Sequence, residues 1–178
     1  MKKIYVLLAT VLVLFASCSK DSGTVTSESI FPNYSDVVIP VNIAPLNFMV
    51  SGAEKVKVNI SGTSEYSFSN RGETVKFPLK RWKQMLNVEK GNSLKVSVFV
   101  NGENSPLAQF NWTVSADSID KFLSYRLIEP AYEVWSRIEI QERNLENFST
   151  RLLGDNRTAD KCCINCHTTN NKGTSFMH

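Results

Sequence analysis

The sequence predicts a mainly β protein: an immunoglobulin-like β-sandwich with short helices, followed by an irregular C-terminal segment that carries a Cys-x-x-Cys-His motif. Three observations predict it. Apolar residues recur at every second position through most of residues 36–115, the pattern of half-buried strands. Only one stretch in that region, Leu79 to Leu86, spaces its apolar residues as a helix does. Asn101-Gly102 stands between two of the alternating runs, a signal for an antiparallel connection.

The first run is Val37-Val38-Ile39-Pro40-Val41, and the second places Leu46, Phe48 and Val50 on one face. Val56, Val58 and Ile60 then alternate with Lys55, Lys57 and Asn59, a strand with one dry and one wet side. Tyr66 and Phe68, then Val75 and Phe77, extend the series. Leu79, Trp82, Met85 and Leu86 follow at helical spacing, with Pro78 suited to the first turn and Gly91 beyond the end. Lys80, Arg81 and Lys83 surround Trp82 and read as the solvated face of that helix, while Trp82 and Trp112 read as core. Leu94, Val96, Val98 and Val100 lead to Asn101-Gly102, a hairpin signal that Pro106 stretches into a longer loop before Phe110, Trp112 and Val114. Beyond 115, Ser115 suits the cap of a helix starting near Ala116, with Asp117 and Asp120 in its first turn and Ile119, Phe122 and Leu123 on one face. Pro130 limits that helix, and Ile138, Ile140, Leu145 and Phe148 suggest a strand or hairpin.

The chain has 178 residues, 20 basic and 17 acidic, which argues against collagenous, disordered and polybasic classes and gives no reason to expect a nucleic-acid partner. Met1-Lys2-Lys3, an apolar run from Ile4 to Ala16 and the small residues before Cys18 form an export signal. That run is shorter than the roughly 20 residues a spanning helix needs, and Ser19-Lys20-Asp21 follows at once. Phe15-Ala16-Ser17-Cys18 resembles a bacterial lipobox with Phe in place of the usual Leu, so Cys18 is the candidate lipidation site and membrane lipid the first expected partner. The expected location is the bacterial cell envelope, on its periplasmic or surface face. The organisation that follows is a signal peptide over 1–17, a flexible tether over 18–35, the sandwich over 36–115, a helix and strand segment over 116–153, and the motif-bearing segment over 154–178.

Cys163-Ile164-Asn165-Cys166-His167 matches the c-type haem attachment pattern. Two intervening residues bring both thiols to one porphyrin edge for thioether bonds, and the adjacent imidazole ligates the iron. Covalent haem attachment takes place outside the cytoplasm, so the motif and the export signal agree. Second axial ligands are sought in His178 and Met177, and Met would raise the reduction potential relative to a second His. Cys162 remains an unassigned thiol. Zinc is the alternative cofactor, held by Cys162 or Cys163 with Cys166, His167 and His178, and a disulfide is a third reading. No acid/base pair or nucleophile constellation appears elsewhere, so an electron carrier with an unknown redox partner, or a surface-binding protein, is favoured over an enzyme.

Tyr125-Arg126-Leu127-Ile128-Glu129-Pro130, Glu133-Val134-Trp135, Gln141-Glu142-Arg143-Asn144-Leu145 and the Cys163 to His167 motif together resemble a family of bacterial lipoproteins described as cytochrome-c-like or TolB-like. The resemblance runs from about Val37 to His178. It implies an N-terminal β domain, haem binding at Cys163, Cys166 and His167, and a β-propeller that follows in such proteins and is not present here. It therefore implies the N-terminal part of a longer protein. A porphyrin needs an apolar shell, and Thr168 to Ser175 with a single Phe176 does not supply one. The β domain, the Tyr132 to Leu153 segment or a partner chain has to cover it.

Overall fold

A computed structural model of the chain describes residues 26–128 and 138–157, together with the backbone of Thr168–Thr169 and Phe176–Met177. Its strands are β1 (Ile30–Phe31), β2 (Val37–Ile39), β3 (Phe48–Val50), β4 (Lys55–Ser61), β5 (Glu65–Arg71), β6 (Thr74–Val75), β7 (Ser93–Val100), β8 (Ala108–Val114), β9 (Phe122–Leu127), β10 (Glu139–Asn144), β11 (Thr150–Asp155), β12 (Thr168–Thr169) and β13 (Phe176–Met177), with one helix, α1 (Leu79–Val88), between β6 and β7. The protein is mainly β, as the alternation predicts.

The largest sheet runs β2-β8-β7-β4-β5, antiparallel except for the parallel pairing of β2 with β8. Its inner face takes the apolar positions that alternate along β4 and β7: Val56, Val58, Ile60, Leu94, Val96 and Val98 are buried. A small sheet, β1-β3-β6, and α1 supply the residues that meet them. Phe48 and Val50 come from β3, Val75 from β6, and Trp82, Met85 and Leu86 from one stripe of the helix. At the centre Trp82 and Trp112 meet edge to face with ring centroids 5.7 Å apart, and Phe77 sits 5.1 Å from Trp82. Both indoles also satisfy their N–H groups, Trp82 donating to the Ile43 carbonyl and Trp112 to the Tyr34 carbonyl, each at 2.9 Å. A buried indole without such a partner would lose much of what its burial contributes.

Helix α1 begins after Pro78 and ends where Gly91 takes a φ of 82°, a conformation that a side chain disfavours. The β7–β8 connection likewise turns at Asn101 and Gly102, both with positive φ, and runs to Leu107 as the longer loop that Pro106 foretold. Two expectations fail. Part of the predicted tether is structured, because Ile30 and Phe31 pair with Val50 and Met49 of β3. The predicted helix from Ala116 is absent: the Ser115 hydroxyl accepts from the Asp117 amide in a local turn, and the chain then enters β9.

Strands β9, β10 and β11 form a separate antiparallel sheet with the order β11-β10-β9. It is tied to the first unit by polar contacts. The Ala44 amide donates to the Leu145 carbonyl at 2.7 Å, Asn42 bonds both the amide and the carbonyl of Ile119, and Lys83 pairs with Glu146 at 3.2 Å. The cation on Lys83, with help from Asn42, holds the Glu146 carboxyl below its usual range despite partial burial.

Candidate functional site

Cys18, Cys162, Cys163, Cys166, His167 and His178 lie outside the described residues. Of the candidate ligands only Met177 has a described backbone: it stands in β13 opposite Thr168, the residue that follows His167 in the chain. Nearest to the motif along the chain, the described residues are the end of β11 and the sheet it belongs to.

The chain leaves β11 through a tight polar clasp. The Asp155 carboxylate accepts from the Arg157 amide at 2.9 Å and from its guanidinium at 2.6 Å and 2.9 Å, which holds the guanidinium protonated even more firmly than usual. Asn156, buried, accepts from the Ile138 amide at the start of β10 at 2.9 Å. The first residues of the motif-bearing segment are therefore held against the sheet.

Register then decides what each face of this sheet presents. Leu123, Tyr125 and Leu127 of β9 share one face with Glu139, Gln141 and Arg143 of β10 and with Leu152 of β11. Leu123, Leu127 and Leu152 are each about half exposed, at 51%, 48% and 49%. Three exposed leucines on one small face are more than a solvated sheet ordinarily shows. Phe122, Glu142, Asn144 and Arg151 fall on the opposite face and, with Ser149 and Thr150 at the sheet's end, line an open groove of about 370 Å³, Arg151 and Glu142 being paired at 2.9 Å.

A second polar feature was not foreseen in the sequence. Glu89, at the C-terminal end of α1, is fully buried. One carboxylate oxygen accepts from the Thr63 amide at 2.9 Å; the other accepts from the Thr63 hydroxyl at 2.8 Å, the Ser64 amide at 3.0 Å and the Tyr66 hydroxyl at 3.1 Å. Burial alone would raise this carboxyl, but the four donors outweigh it and hold the group below its usual range. Tyr66 moves the other way, raised by burial and by its bond to Glu89. The arrangement ties the β4–β5 turn to the helix and leaves no room for substrate: a Cβ on Gly62 would come within 2.6 Å of the carboxylate. It is a structural bracket.

Among the described residues no three His, Cys, Asp or Glu side chains gather to hold a metal ion, and no helix is long and apolar enough to cross a membrane. Compared with protein-family models, curated proteins and solved structures, the chain matches none of them.

Proposed function

We propose that the chain is a lipid-anchored protein of the bacterial envelope that carries a covalent c-type haem and serves electron transfer or redox sensing. The observation that carries this reading is the Cys163-x-x-Cys166-His167 motif in a chain that opens with an export signal ending at Cys18. The donor set fits the group: two thiols at the required spacing, an imidazole next to them, and Met177 or His178 as the second axial ligand. Bound haem supplies a one-electron iron couple. The chain's own residues supply the rest. Cys163 and Cys166 would hold the group covalently, and His167 would ligate its iron. The half-exposed Leu123, Leu127 and Leu152, on the sheet whose last strand leads into the motif, offer apolar surface able to exclude water from a flat ligand. Cys18 holds the assembly at the membrane through its acyl chains, each buried methylene contributing about 0.8 kcal/mol. In this reading the two-layered unit built on β1 to β8 is an immunoglobulin-like sandwich that acts as a spacer between lipid and haem.

Reduced-minus-oxidised absorption spectra of the exported chain, followed by potentiometric titration, test the function. A reversible one-electron couple with a six-coordinate low-spin spectrum is expected, and Met177→Ala is expected to lower the potential if Met177 is the second ligand. Stoichiometric zinc with no haem spectrum would replace this reading with a surface-binding lipoprotein in which Cys162 or Cys163, with Cys166, His167 and His178, forms a structural site.

A further inference from the structure

The outer face of the five-stranded sheet carries a feature that the haem reading does not use, and from it we infer a binding site for acidic oligosaccharides. Lys55, Lys57 and Asn59 project from β4 on this face, and the register sets Lys57 opposite Phe99 of β7 and Lys55 opposite Arg71 of β5. The β7–β8 loop rises beside them, so that Glu103 and Asn104 wall a groove of about 410 Å³. That volume is within the range of small-ligand sites.

The groove is built in advance. The Asn101 side-chain oxygen accepts from the Glu54 and Lys55 amides at 2.9 Å and 3.3 Å, which ties the loop to the start of β4. The Leu107 amide donates to the Val98 carbonyl at 2.7 Å and fixes the far end of the loop. Little ordering cost therefore remains for a ligand to bear.

Its chemistry points to one ligand class. Among the described residues, Lys55, Lys57 and Arg71 make no ion pair, so three cations face solvent together. The Asn59 carbonyl oxygen is taken by the Ser67 hydroxyl at 2.9 Å, which leaves its amide nitrogen as a donor at the groove. Phe99 is only half buried on an otherwise polar face and stacks on no other ring among the described residues. Cations and an amide donor suit carboxylate or sulfate groups. A partly exposed ring suits the apolar C–H face of a pyranose. The Glu103 carboxylate offers an acceptor for sugar hydroxyls, which a phosphodiester strand supplies sparsely, and a single ring gives no run of stacked bases. An acidic glycan satisfies all four features.

The test is an amide NMR titration of the full chain with three hexasaccharides: oligogalacturonate for carboxylate recognition, a heparin-derived hexamer for sulfate recognition, and maltohexaose as the neutral control. At least one acidic probe is expected to saturate shifts at Lys57, Asn59 and Phe99, with maltohexaose at least tenfold weaker. Phe99→Ala, and Lys55→Gln with Lys57→Gln, are each expected to weaken that probe at least fivefold, and 0.3 M NaCl to weaken it further. Should Phe99→Ala disturb the fold, the lysine double variant decides, because both side chains face solvent. No shift with either acidic probe, equal binding of maltohexaose, insensitivity to the variants, or tighter binding of oligo(dT) at the same amides would each overturn the inference. None of these readouts depends on haem.

Discussion

Replacing Glu89 with Gln keeps the size of the side chain and removes its charge, so it isolates what the buried carboxylate does. Four donors converge on the two oxygens: the amide and hydroxyl of Thr63, the Ser64 amide and the Tyr66 hydroxyl. In the variant one oxygen becomes an NH2 group. If it replaces the oxygen that faces the Thr63 amide, two donors oppose each other, and the remaining three bonds lose their charge assistance. An unpaired buried donor costs about 1–3 kcal/mol, and each charge-assisted bond that becomes neutral costs about 1 kcal/mol more. Thr63 and Ser64 are exposed, so water recovers part of this, which leaves an expected loss of about 2–3 kcal/mol. With a slope of about 1–3 kcal/mol per molar in urea, the unfolding midpoint should fall by about 0.7–3 M. The sign with pH is also fixed. Because the folded carboxyl is held below its usual range, its contribution is full above the unfolded value of about 4.3 and is lost as pH falls through the lower folded value. The gap between wild type and Glu89→Gln should therefore close on acidification. A loss below about 0.5 kcal/mol at pH 7, the size of an ordinary surface change, would refute the bracket, as would a gap that stays constant down to pH 3.

The remaining predictions concern the same bracket, the joint between the sheets and the anchor. Gly62→Ala places a Cβ 2.5 Å from Leu94 and 2.6 Å from the Glu89 carboxylate, so thermal unfolding should show a loss of about 1–3 kcal/mol. Asn42→Ala removes two bonds to Ile119 and should cost about 1–2 kcal/mol, with faster exchange of the Ala44 amide that donates to Leu145. Lys83→Ala, which removes one partly exposed ion pair, should cost less than about 1 kcal/mol in the same urea assay. Cys18→Ser should move the exported chain from the detergent phase to the aqueous phase in a partition assay; retention in the detergent phase would remove the lipid from the account.

How much of this was legible in the sequence depends on whether a residue's neighbours are near it in the chain. Strands β4 and β7 were plain because one face is dry and the other wet: Val56, Val58 and Ile60 are buried while Lys55 and Lys57 are exposed. Helix α1 was plain for the same reason at a different period. Strand β9 was misread because Ile119, Phe122 and Leu123 fit a helical stripe, while as a strand it carries apolar residues on both faces and buries none of them fully. The two-residue β1 leaves no periodicity to find; only its pairing with β3 makes it a strand. Nothing in the residues around Glu89 signals its burial, since its partners Thr63, Ser64 and Tyr66 lie more than twenty residues earlier. The groove beside Phe99 was equally hidden, because it requires the register of β4 against β7 and the path of the following loop. The Cys163 to His167 motif is the opposite case. The pattern on which the haem proposal rests is contiguous, so it can be read from five letters of sequence.

Covalent haem is the central claim, and the most direct measurement is haem staining of the exported chain on a denaturing gel, quantified by its pyridine haemochrome spectrum, beside Cys163→Ala and Cys166→Ala. The account predicts one haem per chain that survives denaturation in the wild type and is lost or made labile in both variants. A wild-type chain that is exported, stable and made in cells with c-type maturation machinery, yet carries no haem, would contradict it.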